Sequence, residues 1–165
     1  MQVVVLSDTH LPRGKRSLPP LLLQAIGQAD HVIHAGDFVR ESVLDELLRL
    51  NPRFTGVIGN NDDMAIRRRL SAKERVRLGD FTVGVIHGDG ADRLSTADRA
   101  LASFCGDGVD VVVFGHSHVP LRERREGVLL FNPGSPTDKR RQPQYSFGLL
   151  RIGKRIEADH VLLSM

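Results

Sequence analysis

The chain has 165 residues, 41% of them hydrophobic and 26% charged, with a formal net charge of +3. That composition excludes a disordered chain and suits one domain over residues 1–165, and without Trp and with a single Tyr the core must rest on Val, Leu and Ile. The lone Cys105 excludes an internal disulfide framework and argues against a thiolate metal site, and it is expected to be a small buried hydrophobe.

The first element is an apolar, β-branched run at residues 3–6, which reads as a buried strand ending at Ser7-Asp8. Residues 11–17 mix Pro, Gly and basic side chains and read as a loop. A helix is expected over 18–28, with Pro19 and Pro20 in its first turn, where missing N–H groups cost little. A second strand over 30–34 leads into Ala35-Gly36-Asp37. Val43, Leu44, Leu47, Leu48 and Leu50 recur at helical spacing over 41–50, and Asn51-Pro52 stops that helix. A third strand over 53–58 runs into Gly59-Asn60-Asn61-Asp62. Residues 74–78 and 81–86 flank Gly79-Asp80 as a hairpin, 96–105 form a helix closed by Gly106, and 109–114 form another strand. Beyond it, 121–125 pair with 128–131, and 145–152 with 155–163, where Ile156, Ala158, His160 and Leu162 alternate as a strand requires. The expected fold is α/β: strand–helix alternation over two-thirds of the chain, then an antiparallel meander, giving two packed sheets with helices on the outer faces.

The basic residues gather at Arg67–Arg69, at Lys73, Arg75 and Arg77, at Arg122, Arg124 and Arg125, and at Lys139–Arg141. No nucleic-acid module accompanies them and aromatic residues are scarce, so they read as solvated faces and loops, and nucleic acid is not an expected partner. Residues 2–5 already read as a strand, with no leader or long apolar stretch ahead of them, so a cytoplasmic protein without a membrane partner is expected.

Seven metal-type side chains lie at or just past the ends of the apolar runs: Asp8, His10, Asp37, Asn60, His87, His116 and His118. Asp8 and His10, and likewise His116 and His118, are expected on extended backbone, where alternate side chains share a face, with Gly115 permitting a tight turn. Singly these segments are weak, since a loop His is commonly structural and Asn60 suits a turn. Together they place carboxylate, amide and imidazole donors where α/β folds gather their ligands, at the carboxyl ends of strands. Such donors suit Mn, Fe, Zn, Ni or Co rather than Ca, and two such ions about 3.5–4 Å apart are the usual equipment for cleaving phosphate esters.

Asp8-x-His10, Gly36-Asp37, Gly59-Asn60-x-Asp62, His87-Gly88 and Gly115-His116-x-His118, in that order, resemble the calcineurin-like metallophosphoesterases. The short chain and Asn132-Pro133-Gly134-Ser135 are similar to the small single-domain phosphodiesterase branch of bacteria and archaea, and the resemblance runs from Met1 to Ile152. It implies a four-layer α/β/β/α sandwich of two mixed sheets with a dinuclear site at strand carboxyl ends. It also implies two divalent ions, with manganese first and Fe, Zn, Ni or Co as alternatives. Asp8, His10 and His118 would hold one ion, Asn60, His87 and His116 the other, and Asp37 would bridge them. Many members carry His where this chain has Asn61, which can donate to a phosphoryl oxygen but cannot transfer a proton near neutral pH, although the small branch commonly lacks that His.

The expected activity is metal-dependent hydrolysis of a small phosphodiester, with Asn61, Asp37 and His116 catalytic and Asn61 and Arg13 contacting substrate. A phosphomonoesterase on the same site is one alternative. A non-catalytic scaffold is another, after the retromer subunit of this fold, which departs from the ligand pattern. Self-association as a dimer is expected from the resemblance. His34 reads as structural, His31 and His160 as surface or strand residues, Asp62 as an acceptor for a ligand imidazole or a cap or turn residue, and the 132–135 segment as a Pro-Gly turn supporting the site.

Overall fold

A computed structural model describes residues 1–164, and Met165, the last residue of the expected domain, lies outside them. The elements are β1 (Gln2–Leu6), α1 (Pro20–Gln28), β2 (His31–His34), α2 (Glu41–Leu50), β3 (Phe54–Gly56), α3 (Met64–Arg69), β4 (Lys73–Leu78) and β5 (Phe81–Ile86). They continue with α4 (Thr96–Ala102), β6 (Val111–Val113), β7 (Leu121–Arg125), β8 (Val128–Asn132), β9 (Tyr145–Ile152) and β10 (Ile156–Leu163). One sheet runs β10-β9-β1-β2-β3 and the other β4-β5-β6-β8-β7. β1, β2 and β3 are mutually parallel, as are β5, β6 and β8, and the remaining pairings (β10–β9, β9–β1, β4–β5 and β8–β7) are antiparallel.

Side-chain alternation assigns the layers. Val3 and Val5 face the opposite sheet, packing with Ile33, Val83, Val113 and Phe131. Val4 and Leu6 face the other way, against Leu22 and Ile26 of α1 and Leu44 and Leu47 of α2. On the far side of the second sheet, Val112 and Leu130 pack with Ala97 and Ala100 of α4 and with Phe104. The result is the expected four-layer α/β/β/α sandwich. Strands covered on both faces explain why β1 and β6 are unbroken apolar runs.

Several boundaries shift for local reasons. The first helix begins at Pro20 rather than residue 18, because Pro19 precedes a proline and is held extended at φ −59°, ψ 142°. The helix expected over 96–105 ends at Ala102, after which it tightens into three-residue turns (Phe104 N–H to Leu101 O, 3.1 Å; Cys105 N–H to Ala102 O, 3.2 Å). That turn buries Phe104 and leaves Cys105 exposed, not buried as expected. The strands expected over 53–58 and 109–114 shrink to Phe54–Gly56 and Val111–Val113.

Two differences are larger. The run Met64–Arg69 is a helix, too short to show a period, started by Asp63, whose carboxylate accepts from the Ile66 N–H at 3.0 Å. Its arginines are not simply solvated, since Arg69 pins α3 to α2 through Glu41 and Asp45 at 2.8 and 2.6 Å. The last third is not one meander either. The hairpins β7–β8 and β9–β10 join different sheets, and residues 133–144 cross between them. Among the described residues no helix is long and apolar enough to cross a membrane.

Candidate metal centre

The first sheet delivers Asp8 and His10 just past β1, Asp37 past β2 and Asn60 past β3, and the second delivers His87 past β5 and His116 and His118 past β6. The backbone there is not extended. Asp8, His10, Asp37, His116 and His118 have φ of 55°, 45°, 62°, 63° and 58°, in the left-handed region that costs a residue with a Cβ roughly 1–2 kcal/mol. Cross-loop hydrogen bonds hold them there: Asp8 N–H to Gly36 O and His10 N–H to Asp37 O at 3.0 Å, and Gly115 N–H to His87 O at 3.1 Å. Gly115 itself is not left-handed. It is needed for closeness, because a Cβ there would strike Ser7 Oγ and lie 2.8 Å from Asp8 Oδ2.

The donors converge as a cation requires. Asp37 Oδ2 lies 3.3 Å from both His10 Nε2 and His87 Nε2, and Asp8 Oδ1 lies 3.3 Å from His118 Nε2 and 3.8 Å from His10 Nε2. Asn60 Oδ1 stands 3.2 Å from His87 Nε2 and 3.1 Å from His116 Nδ1. Two donors each about 2.1 Å from one ion are themselves roughly 3.0–3.5 Å apart. Asp8, His10 and His118 form one potential metal-binding group, and Asp8, Asp37 and His87 another. Asp8 Oδ1, His10 Nε2 and His118 Nε2 are buried without a hydrogen-bond partner. An anionic oxygen and two imidazole nitrogens left that way fit a divalent cation, because burial without a counterpart is otherwise costly. All seven expected ligands are thus brought to one cleft.

Outer contacts fix which nitrogen faces inward. His118 Nδ1–H donates to the Asp138 carbonyl and His87 Nδ1–H to the Ala35 carbonyl, leaving Nε2 of each toward the centre. The crossover after β8 holds the loops from behind. The Ser135 hydroxyl donates to Asp8 O at 2.7 Å, Thr137 Oγ1 to Thr9 O at 2.5 Å, and Asn132 Nδ2 to Gly115 O at 2.9 Å. Asp62 touches backbone rather than a ligand imidazole, accepting from the N–H groups of Asp37 (3.1 Å), Gly59 (2.7 Å) and Val39 (2.7 Å). Arg67 clamps the same loop through the carbonyls of Asp62, Gly59 and Asn60. Ser135 lies in the Asn132-Pro133-Gly134-Ser135 segment expected to support the site and Asp62 in Gly59-Asn60-x-Asp62, whereas no short motif marks Thr137, Asp138 or Arg67.

Charge follows the geometry. Burial opposes the Asp8 carboxylate, but the neighbouring imidazoles of His10, His87 and His118 outweigh it, and the group is held below the usual range. Asp37 is lowered likewise, its burial outweighed by His87 and by Asn61, which donates its backbone N–H to Oδ1 at 2.8 Å and its Nδ2–H to Oδ2 at 2.7 Å. His87 is pushed up to about 9, its burial overcome by Asp37 and then Asp8, so without metal it carries a proton where an ion would sit. Burial pushes His34 down to about 3. His34 accepts from the Gly36 N–H at Nδ1 (3.2 Å) and meets Thr9 Oγ1 at Nε2 (3.1 Å), which makes it a neutral structural post between the ligand loops. His31 and His160 are strand residues bonded to Thr55 Oγ1 and the Asn132 carbonyl. Arg13 is open to solvent at 58% exposure and paired with Asp138 at 2.8 Å.

A helix-flanked sandwich whose two sheets bring imidazoles and carboxylates together at the ends of their parallel strands defines a metallohydrolase. The calcineurin-like phosphoesterase superfamily domain matches residues 1–155, and the chain belongs to that family. It is 36% identical over 160 residues to a probable metallophosphoesterase of Methanocaldococcus jannaschii, covering 96% of this chain and 79% of that one. It is 29% identical over 147 residues to a phosphodiesterase of the same organism, covering 81% and 83%. In fold it is similar to Vps29 of Entamoeba histolytica, with a TM-score of 0.79 and 23% identity over 99% of this chain and 100% of that one.

Proposed function

We propose that the protein is a phosphodiesterase that uses two divalent ions, manganese first among them. The observation that carries this reading is Asp37 Oδ2, equidistant at 3.3 Å from His10 and His87, because a carboxylate between two donor groups is suited to bridge two ions. His10, His118 and Asp8 would hold one ion, and His87, His116 and Asn60 the other. When bound, the ions supply Lewis acidity toward a phosphoryl oxygen and a lowered pKa for an attacking water. The chain's own residues supply position. The left-handed turns fix the donors, and Asn61 holds both Asp37 oxygens. An amide has two Nδ2–H bonds, so the one not spent on Asp37 serves a phosphoryl oxygen. Asn61 does not protonate a departing alkoxide, which favours leaving groups stable as anions. Similarity to a named phosphodiesterase supports the same reading.

The test is hydrolysis of bis(p-nitrophenyl) phosphate with Mn²⁺, Co²⁺, Ni²⁺ or Zn²⁺. Turnover lost in Asp37→Ala is expected, and absence of turnover with all four ions refutes the proposal. Alkyl phosphomonoesters should react poorly, and the folded Asn61→His variant should react with them better.

A further inference from the structure

We infer that the basic rim on the His118 side of the cleft recognises a second phosphate, so that the substrate is a phosphodiester one of whose flanking groups itself ends in phosphate. The inference rests on the hydrolytic reading above and narrows its substrate class.

Residues 11–17 and 138–142 carry Arg13, Lys15, Arg16, Lys139, Arg140 and Arg141 against one carboxylate, Asp138. Both segments leave directly from the ligand loops. Arg13 follows His10 by three residues, and the Asp138 carbonyl receives the His118 imidazole. Consecutive Cα atoms are about 3.8 Å apart, so Arg140 starts within about 7.6 Å of Asp138, a distance comparable to the reach of its own side chain.

Position beside the ligand loops, rather than neutralisation, distinguishes this rim from the other basic clusters. Each of those mixes paired and unpaired cations: Arg69 pairs with Glu41 and Asp45, Lys73 with Asp107, Arg122 with Asp159, and Arg125 with Asp98, whereas among the described residues Arg68, Arg75, Arg77 and Arg124 have no carboxylate within ion-pair distance. On the rim, Asp138 engages Arg13 at 2.8 Å and only grazes Arg16 at 3.9 Å. Among the described residues Arg140 and Arg141 have no carboxylate within ion-pair distance. Arg140 also has φ of 48°, in a turn closed by Gln142 N–H to Lys139 O at 2.9 Å. A long side chain seldom adopts that conformation, and such outliers gather at binding sites. The His118 side of the cleft therefore carries positive charge that its single carboxylate, Asp138, leaves mostly unneutralised. The scissile diester carries one negative charge for the ions to meet, whereas guanidinium forks left unpaired match the two charges and three oxygens of a terminal phosphate.

The test compares thymidylyl-thymidine with its 5′-phosphorylated form on the Mn²⁺-loaded protein. The phosphorylated dinucleotide should show kcat/KM roughly tenfold higher, carried by KM, as one or two charge-assisted contacts would give. That advantage should shrink as ionic strength rises from about 0.05 to about 0.3 M. Arg140→Ala should remove most of it while leaving the unphosphorylated dinucleotide and bis(p-nitrophenyl) phosphate unchanged, and Arg140→Lys should retain part. Running glycerophosphoinositol beside its 4-phosphate tells a nucleotide carrier of the second phosphate from a polyol carrier. Equal kcat/KM within both pairs, or an Arg140→Ala loss shared by all substrates, overturns the inference. Failure to turn over any diester refutes the hydrolytic reading instead. The rim is then tested by NMR of the metal-free protein, where larger Arg13 and Arg140 side-chain shifts with the phosphorylated dinucleotide support it and equal shifts overturn it.

Discussion

Replacing Gly59 with alanine probes a close approach in the centre. A Cβ at this position would overlap Asp37 Oδ1 and the Asp37 backbone nitrogen, and would sit 2.8 Å from Asp37 Cγ, where ordinary contact begins at 3.4 Å. The carboxylate carbon must retreat by roughly half an ångström, which is the tolerance of a working site. The backbone nitrogen has to move further, and it is tied to Asp62 at 3.1 Å, so no side-chain rotation relieves the overlap. Overpacking of this kind costs about 1–3 kcal/mol, or roughly 2–12 °C in Tm for a chain this long. Displacing the Asp37 carboxylate should lower diester turnover about 100-fold and weaken Mn²⁺ binding measured by calorimetry. Gly27→Ala is the control, since nothing lies within 4 Å of its Cβ and it sits in α1, where Ala should stabilise by about 0.5–1 kcal/mol. Gly59→Ala with unchanged Tm and unchanged Mn²⁺ affinity would refute the packing argument.

Other perturbations follow from the same contacts. The unfolded His34 imidazole takes a proton near 6.5 and the folded one only near 3, so between those values the unfolded chain binds the additional proton and stability falls as pH drops. The slope is roughly 1 kcal/mol per pH unit from this residue; urea unfolding from pH 7 to pH 4.5 should show a shallower slope in His34→Gln, and an equal slope would contradict it. Free Mn²⁺ at about 100-fold over its Kd should stabilise the protein by ~2.7 kcal/mol and raise Tm by several degrees, reversed by EDTA and absent in Asp8→Ala. No shift with Mn²⁺, Zn²⁺, Co²⁺ or Ni²⁺ would show that the donors do not hold an ion. Asn51 is buried, donating to Ile26 O and Ala29 O at 2.9 and 2.8 Å and accepting from the Arg53 N–H at 3.0 Å. Asn51→Ala should cost about 2–4 kcal/mol in urea unfolding by stranding those groups, and a loss under about 1 kcal/mol would deny them that weight.

The strands were legible because burial on both faces writes itself as an unbroken apolar run, as in Val3–Leu6 and Val111–Val113. The donors were legible as residue types at the ends of those runs. Their backbone was not. Nothing local makes Asp8, His10 or His116 left-handed, and the hydrogen bonds that do so come from residues about 28 positions away or more. The same holds for Ser135 and Thr137, whose hydroxyls act more than 120 residues up the chain. The α3 helix escaped notice because six residues carry less than two helical turns and its arginines resemble any charge run. The resemblance gives Asn61, at the position where many members carry His, to substrate, whereas its side chain also grips Asp37.

Asp8, His10, Asp37 and Asn60 belong to one sheet and His87, His116 and His118 to the other. An ion seated among them is therefore a rivet driven through both plates of the sandwich at one end. Shearing or prising the plates apart at that end means extracting it, so mechanical strength and cofactor occupancy rise and fall together. Stripped of its rivet, the molecule has a natural seam there along which to gape.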